Sequence, residues 1–207
     1  MSKASRLGFL LEDIIHHYVQ SIPGIIAIRE TEIKKLIDNS INGVDHWFIC
    51  GKKHVFVQDK WTSQVCQQEM AQFVTCVNRI IKTEKIFTNS DPSNRMLILA
   101  TKSIPTANTI RLLNDCNVKI LQENNMNTLA LHCTDEVSKY FGLKHSVGNK
   151  LPIVKHIELL EKIKVTLTPN ENEMFIKSIS MTSTSAASAA SAASEFDMHS
   201  FTEKIQK

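Results

Sequence analysis

GVDHWFICGKKHVFVQDKW, residues 43–61, reads as two apolar strands joined by a tight turn. A turn at Gly51-Lys52 suits a two-residue hairpin, because glycine in the first turn position tolerates the backbone angles required. Antiparallel register about that turn puts Asp45 opposite Gln58 with Lys60 on the same side. A turn at Lys52-Lys53 instead puts Asp45 opposite Lys60, with the same facing. Trp47, Ile49 and Phe56 fall on the Asp45 side, and Val44, Phe48, Val55 and Val57 on the other. A ribbon apolar on both faces needs cover on both, as in an α/β domain.

A carboxylate, an amide and an ammonium thus meet at one end of a buried hairpin. One reading is an Asp45–Lys60 ion pair near the surface. The other is a metal-dependent phosphodiesterase centre. A hard divalent cation takes carboxylate, carbonyl and water oxygens, while a nearby lysine orients the attacking water and stabilises charge on the phosphate.

Gly-Val-Asp followed across a hairpin by VQDKW resembles the PD-(D/E)xK nuclease superfamily, in the Gln-x-Lys variant typical of Mrr-like restriction endonucleases. The resemblance runs from about Gly8 to Leu121. It implies a three-layer restriction-endonuclease-like α/β fold, a mixed central sheet flanked by helices, and a Mg²⁺-dependent DNA endonuclease with Mn²⁺ as substitute. Asp45 would be the chief metal ligand, joined by the Gln58 side-chain oxygen and the Asp59 backbone carbonyl, with Lys60 positioning the nucleophilic water. Glu12, in FLLED, would join the metal site directly or through water, with Asp13 the less favoured neighbour; an exposed first-helix acid is the other reading. Gln72, ahead of Phe73, matches a glutamine that contacts the scissile phosphate or the water ligands, although hydration explains it equally. ILATKSIPTANTIRLLNDCNVKIL, residues 98–121, resembles the second half of such a domain. Lys102 there replaces a small hydroxyl residue, so a phosphate contact would differ in kind. A neutral amide in place of a second carboxylate weakens cation binding, which implies a need for millimolar Mg²⁺ or better activity with Mn²⁺.

Working outward, Leu7, Leu10, Leu11, Ile14, Ile15 and Tyr18 predict a helix from about Ser5 to Gln20, ended by Ser21-Ile22-Pro23-Gly24. A short strand is expected at residues 25–28, then a helical segment over 30–38 with Ile33, Leu36 and Ile37 inward. Lys34 and Lys35 there either steer a phosphate backbone or form a solvated face. Thr62-Ser63 would cap a helix running to Lys82, with Val65, Met70, Phe73, Val74, Val77, Ile80 and Ile81 buried. Residues 88–94 read as a loop, 95–101 as a strand, Pro105 as a helix opening and 118–121 as a strand: a parallel crossover. Residues 128–133 suggest an edge strand, Thr134 the cap of a short helix to Phe141, and 152–164 a further helix.

The chain has 207 residues, a net charge of +3 and 43% hydrophobic residues, a balance that permits a polyanionic partner without demanding one. The expected organisation is a nuclease domain over 1–165, a linker over 166–194 that is Ser/Ala-rich from about 182, and a tail over 195–207. The Ser-Ala-Ala repeat offers no apolar face and is regular enough to be an engineered spacer. Ser200 and Glu203 have capping-box spacing, so the tail is either a peptide that docks on a partner or a frayed end. Five scattered cysteines without a C-x-x-C pair point to reduced core residues. No apolar run reaches membrane-spanning length and no signal-peptide pattern opens the chain, so an intracellular location, cytoplasm or nucleus, is expected. DNA is the expected partner, and a homodimer would supply two sites for two strands. The contender is a catalytically inactive nucleic-acid-binding or assembly module on a nuclease-like fold. A nucleotide-binding enzyme is disfavoured because no glycine-rich phosphate loop follows any strand.

Overall fold

The hairpin forms in the register set by Gly51-Lys52. In a computed structural model that describes residues 3–87 and 91–144, strand β2 (His46–Cys50) pairs with β3 (Lys53–Lys60), and His46 faces Val57 while Cys50 faces Lys53. Gly51 takes φ +58°, the left-handed conformation that favours glycine at such a turn. Strand β1 (Ile26–Arg29) adds antiparallel to β2, whereas β4 (Arg95–Thr101) and β5 (Val118–Gln122) add parallel beyond β3. The result is one mixed sheet in the order β1-β2-β3-β4-β5.

Period-two alternation sends each apolar set to its own layer. Phe48, Val55, Val57, Ile98 and Ala100 pack with helix α1 (Lys3–Gln20) and helix α5 (Met126–Phe141). Trp47, Phe56, Leu99 and Val118 pack with α3 (Gln67–Thr83) and α4 (Ala107–Asp115) on the opposite face. The molecule is therefore a three-layer α/β structure, a mixed sheet between helices. Val44 departs from its expected side and joins the Trp47 layer. It precedes the regular strand and follows Gly43 at φ +90°, so strand alternation does not reach it.

Helix boundaries also correct the sequence reading. Helix α2 (Glu30–Leu36) buries Ile33 fully but leaves Leu36 58% exposed, so Leu36 is not on its inner face. Helix α3 starts after Cys66, not after Thr62-Ser63; the Thr62 hydroxyl is occupied by the Gln64 carbonyl, and the Glu69 carboxylate accepts from the Cys66 amide instead. Pro105 lies ahead of α4 rather than in its first turn; Thr106 caps the helix, accepting from the Thr109 amide at 3.3 Å.

The expected edge strand over 128–133 is replaced by the single helix α5. Leu129, Ala130, Cys133, Val137 and Phe141 all face the core at helical spacing, and Thr134 bonds to the Ala130 carbonyl within the helix rather than capping a new one. Asn125 caps the start by accepting from the Thr128 amide, and Gly142 at φ +74° closes the end. Cys76 and Cys133 are buried, but Cys66 is exposed, contrary to the expectation that all five cysteines sit in the core; all are free thiols. The predicted helix at 152–164, the Ser/Ala linker and the tail lie outside the described residues, as do residues 88–90 of the loop and hence the full extent of the proposed domain. Among the described residues no helix is long and apolar enough to cross a membrane.

If Asn125 is the true start of α5, Asn125→Ala should lower the unfolding free energy by about 1 kcal/mol, the usual value of a lost cap. Urea denaturation reads this directly; an unchanged midpoint would mean that the cap carries no weight.

Candidate functional site

Asp45 sits just ahead of β2, fixed by main-chain bonds on both sides. Its amide donates to the Val57 carbonyl at 2.9 Å, and its carbonyl accepts from the Glu30 amide at 3.0 Å. The side chain lies across the end of β3. There Asp45 Oδ2 accepts from Gln58 Nε2 at 2.5 Å and from the Asp59 amide at 2.7 Å. Gln58 Nε2 also lies 3.4 Å from the Asp59 carbonyl oxygen. A carboxylate oxygen, an amide head and a main-chain carbonyl therefore share one small volume, with Asp45 9% and Gln58 2% exposed.

The outer end of the amide is the anomaly. Gln58 Oε1 is buried with no hydrogen-bond partner. It presses close to Gly43, where a Cβ would come within 3.0 Å of it. Oxygen donors of this kind suit a hard cation, and Oε1 is a free acceptor on a side chain that already reaches the other two donors. Among the described residues no group of three or more His, Cys, Asp or Glu side chains is arranged to hold a metal. The oxygens at this end of β3 are those of one acid, one amide and one main-chain carbonyl, with the amide presenting its nitrogen to the other two.

Lys60 is half-buried at the end of β3, and its ammonium pairs with Glu69 Oε1 of α3 at 3.3 Å. Lys60 thus pairs with an acid of α3 and not with Asp45, which is held by N–H groups. Its charge is still felt across the site, lowering the proton affinity of Glu12, Asp45 and Asp59. Glu12 belongs to the same electrostatic group. Burial, then Glu30 and Asp13, raise its pKa to about 7. Asp13 itself is tied to Arg29 at 2.6 Å. Gln72 lies on the exposed face of α3, and its side chain makes no hydrogen bond among the described residues, so it is not brought into the cluster.

Asp59 divides its two parts between the two faces of the sheet. Its main chain serves the site, while its carboxyl turns to His46 Nε2 at 3.1 Å, both side chains 1% exposed. Burial pushes Asp59 well above the carboxylate range and His46 well below the imidazole range, which favours a neutral hydrogen-bonded pair over an ion pair. The His46 ring stacks on Phe48 at a 10° interplanar angle, which anchors this pair in the core.

Three contributors were missed from sequence. Glu30 accepts from the Gly43 amide at 3.2 Å and pairs with Lys34, also at 3.2 Å, so Lys34 is engaged within α2. Glu69 holds Lys60, and His46 holds Asp59. Each comes from an element remote in sequence or from the hidden face of a strand; only the opening position of Glu30, directly after β1, gave any signal. The chain matches no protein-family model, no curated protein and no solved structure.

Burial, opposed by the Asp59 amide bond and reinforced by Glu12, raises the Asp45 pKa to about 8. A carboxyl group with a raised folded-state pKa binds its proton more tightly in the folded chain. Its stabilising share is complete below the unfolded value near ~4 and is lost as pH climbs toward the folded one. Without divalent cations, the melting temperature should fall between about pH 5 and pH 8. Asp45→Asn should flatten much of that fall, and a wild-type melting temperature level across the range would contradict the burial of these acids.

Proposed function

We propose that the chain is a metal-dependent DNA endonuclease of the PD-(D/E)xK type, with Asp45, Gln58 and the Asp59 carbonyl holding a Mg²⁺ or Mn²⁺ ion. The observation that carries the reading is the meeting of those three groups at the end of β3, with Gln58 Oε1 left buried and unpaired. A divalent cation bound there would supply a Lewis acid for the phosphate and a water of lowered pKa. Asp45, giving up its proton as the cation binds, would bring the one full negative charge at close range, fixed by its main-chain bonds to Val57 and Glu30. Gln58 and the Asp59 carbonyl bring neutral oxygens, so the site binds a cation weakly and depends on its concentration.

Lys60 would orient the attacking water and stabilise charge gathering on the phosphate, with Glu69 steadying the ammonium. Glu12, with its proton affinity raised, would reach the same ion through water. Next to this end of the sheet, the exposed Lys102 lies over the Trp61 ring at 5.3 Å, and its amide extends the pairing of β4 by donating to the Lys60 carbonyl. That placement suits a backbone phosphate flanking the scissile one. A homodimer would allow both strands to be cut.

Nicking of supercoiled DNA in Mn²⁺ tests the reading. Asp45→Ala and Lys60→Ala should each cut the rate by at least about 100-fold, and chelator should abolish it. Equal nicking by all three proteins would mean a contaminant, leaving a non-cleaving nucleic-acid-binding or assembly module. Lys102→Ala should weaken DNA binding and reduce the salt slope of log K by about 1, as expected for one lost phosphate contact; an unchanged slope would remove Lys102 from the interface.

A further inference from the structure

The Gln58 amide is in conflict with its surroundings whichever way it lies. Both groups on its inner side, Asp45 Oδ2 at 2.5 Å and the Asp59 carbonyl at 3.4 Å, are acceptors. An amide oxygen turned toward them would meet lone pair against lone pair, so the nitrogen faces inward. The oxygen is then driven outward, on a side chain 2% exposed, to a position with no donor. Gly43 makes even this position tenable, since any Cβ would stand 3.0 Å from the oxygen. A buried acceptor left unpaired is a group poised to change partners.

We propose that the Gln58 amide is the gate of the cation site. Without a cation it closes on Asp45 and Asp59 through its N–H groups; when the cation enters, the amide turns over about its last torsion and Oε1 becomes a ligand. The inference deepens the metal-dependent reading above and rests on it. Turning the amide breaks the bond to Asp45, so part of the binding free energy is spent opening the gate and the apparent affinity is reduced accordingly. Gly43 acts as a positioning residue, leaving the amide head room on its outer side, while the Glu30 carboxylate holds the Gly43 amide at 3.2 Å.

The test is the side-chain NH₂ signal of Gln58 in ¹H–¹⁵N spectra of the full chain, assigned by its loss in Gln58→Glu. In the metal-free protein one of its protons should lie well downfield, as a short bond to the Asp45 carboxyl oxygen requires. Mg²⁺ should move it upfield, with the same midpoint as the binding heat measured by calorimetry. Gln58→Glu has no N–H to break and nothing to turn, so it should bind Mg²⁺ about tenfold more tightly or better. Binding heat with the Gln58 signal still downfield, or a glutamate variant that binds no tighter, would overturn the gate while leaving the cation site standing. No binding of Mg²⁺ or Mn²⁺ to the wild-type chain would overturn both the gate and the nuclease reading.

Discussion

The arrangement depends on one buried carboxylate. Asp45 is 9% exposed and would be an expensive passenger in a sheet if it were left unpaired. It is kept there by donors from the neighbouring strand, the Asp59 amide at 2.7 Å and the Gln58 amide at 2.5 Å. Such bonds contribute about 0.5–1.5 kcal/mol each while the acid is protonated and about 1.5–3 kcal/mol once it is ionised, which offsets part of the desolvation without removing it. The residual penalty is visible as a pKa of about 8.

The rest of the chain can be understood as holding that carboxylate and its neighbours still. Register at Gly51-Lys52 sets Asp45 against the end of β3, and β1 with the first residue of α2 fixes its carbonyl. On the far face, the His46–Asp59 pair ties β2 to β3 one residue away from each proposed ligand, and the stack on Phe48 seats it in the layer beneath α1. Glu69 reaches back from α3 to Lys60, linking the opposite layer to the same strand end. Both helical layers thus converge on the three residues Gln58, Asp59 and Lys60.

The hairpin was legible because its information is local: a glycine turn and period-two alternation decide register and facing together. That is why Asp45 and Gln58 could be brought opposite one another from sequence, and why two apolar faces predicted two helical layers. Residues 128–133 were misread for the same reason in reverse. Six residues are too few to separate strand from helix, and the deciding repeat, Leu129 to Cys133 to Val137 to Phe141, extends beyond them. Val44 was misplaced because Gly43 ends the strand geometry before alternation reaches it. Glu30 and Glu69 were invisible as site residues, since nothing in a local pattern says that the start of α2 will meet Gly43 or that α3 will meet Lys60. Gln72 shows the opposite limit: a matching offset on a helix does not decide which way that helix turns its side chain.

Locating a bound ion tests this geometry most directly. Crystals soaked in Mn²⁺ and measured at its absorption edge should give an anomalous peak bounded by the Asp45 carboxylate, the Gln58 side chain and the Asp59 carbonyl. A peak held by other residues, or a clean map at this end of β3 with the Gln58 amide still bonded to Asp45, would contradict the account.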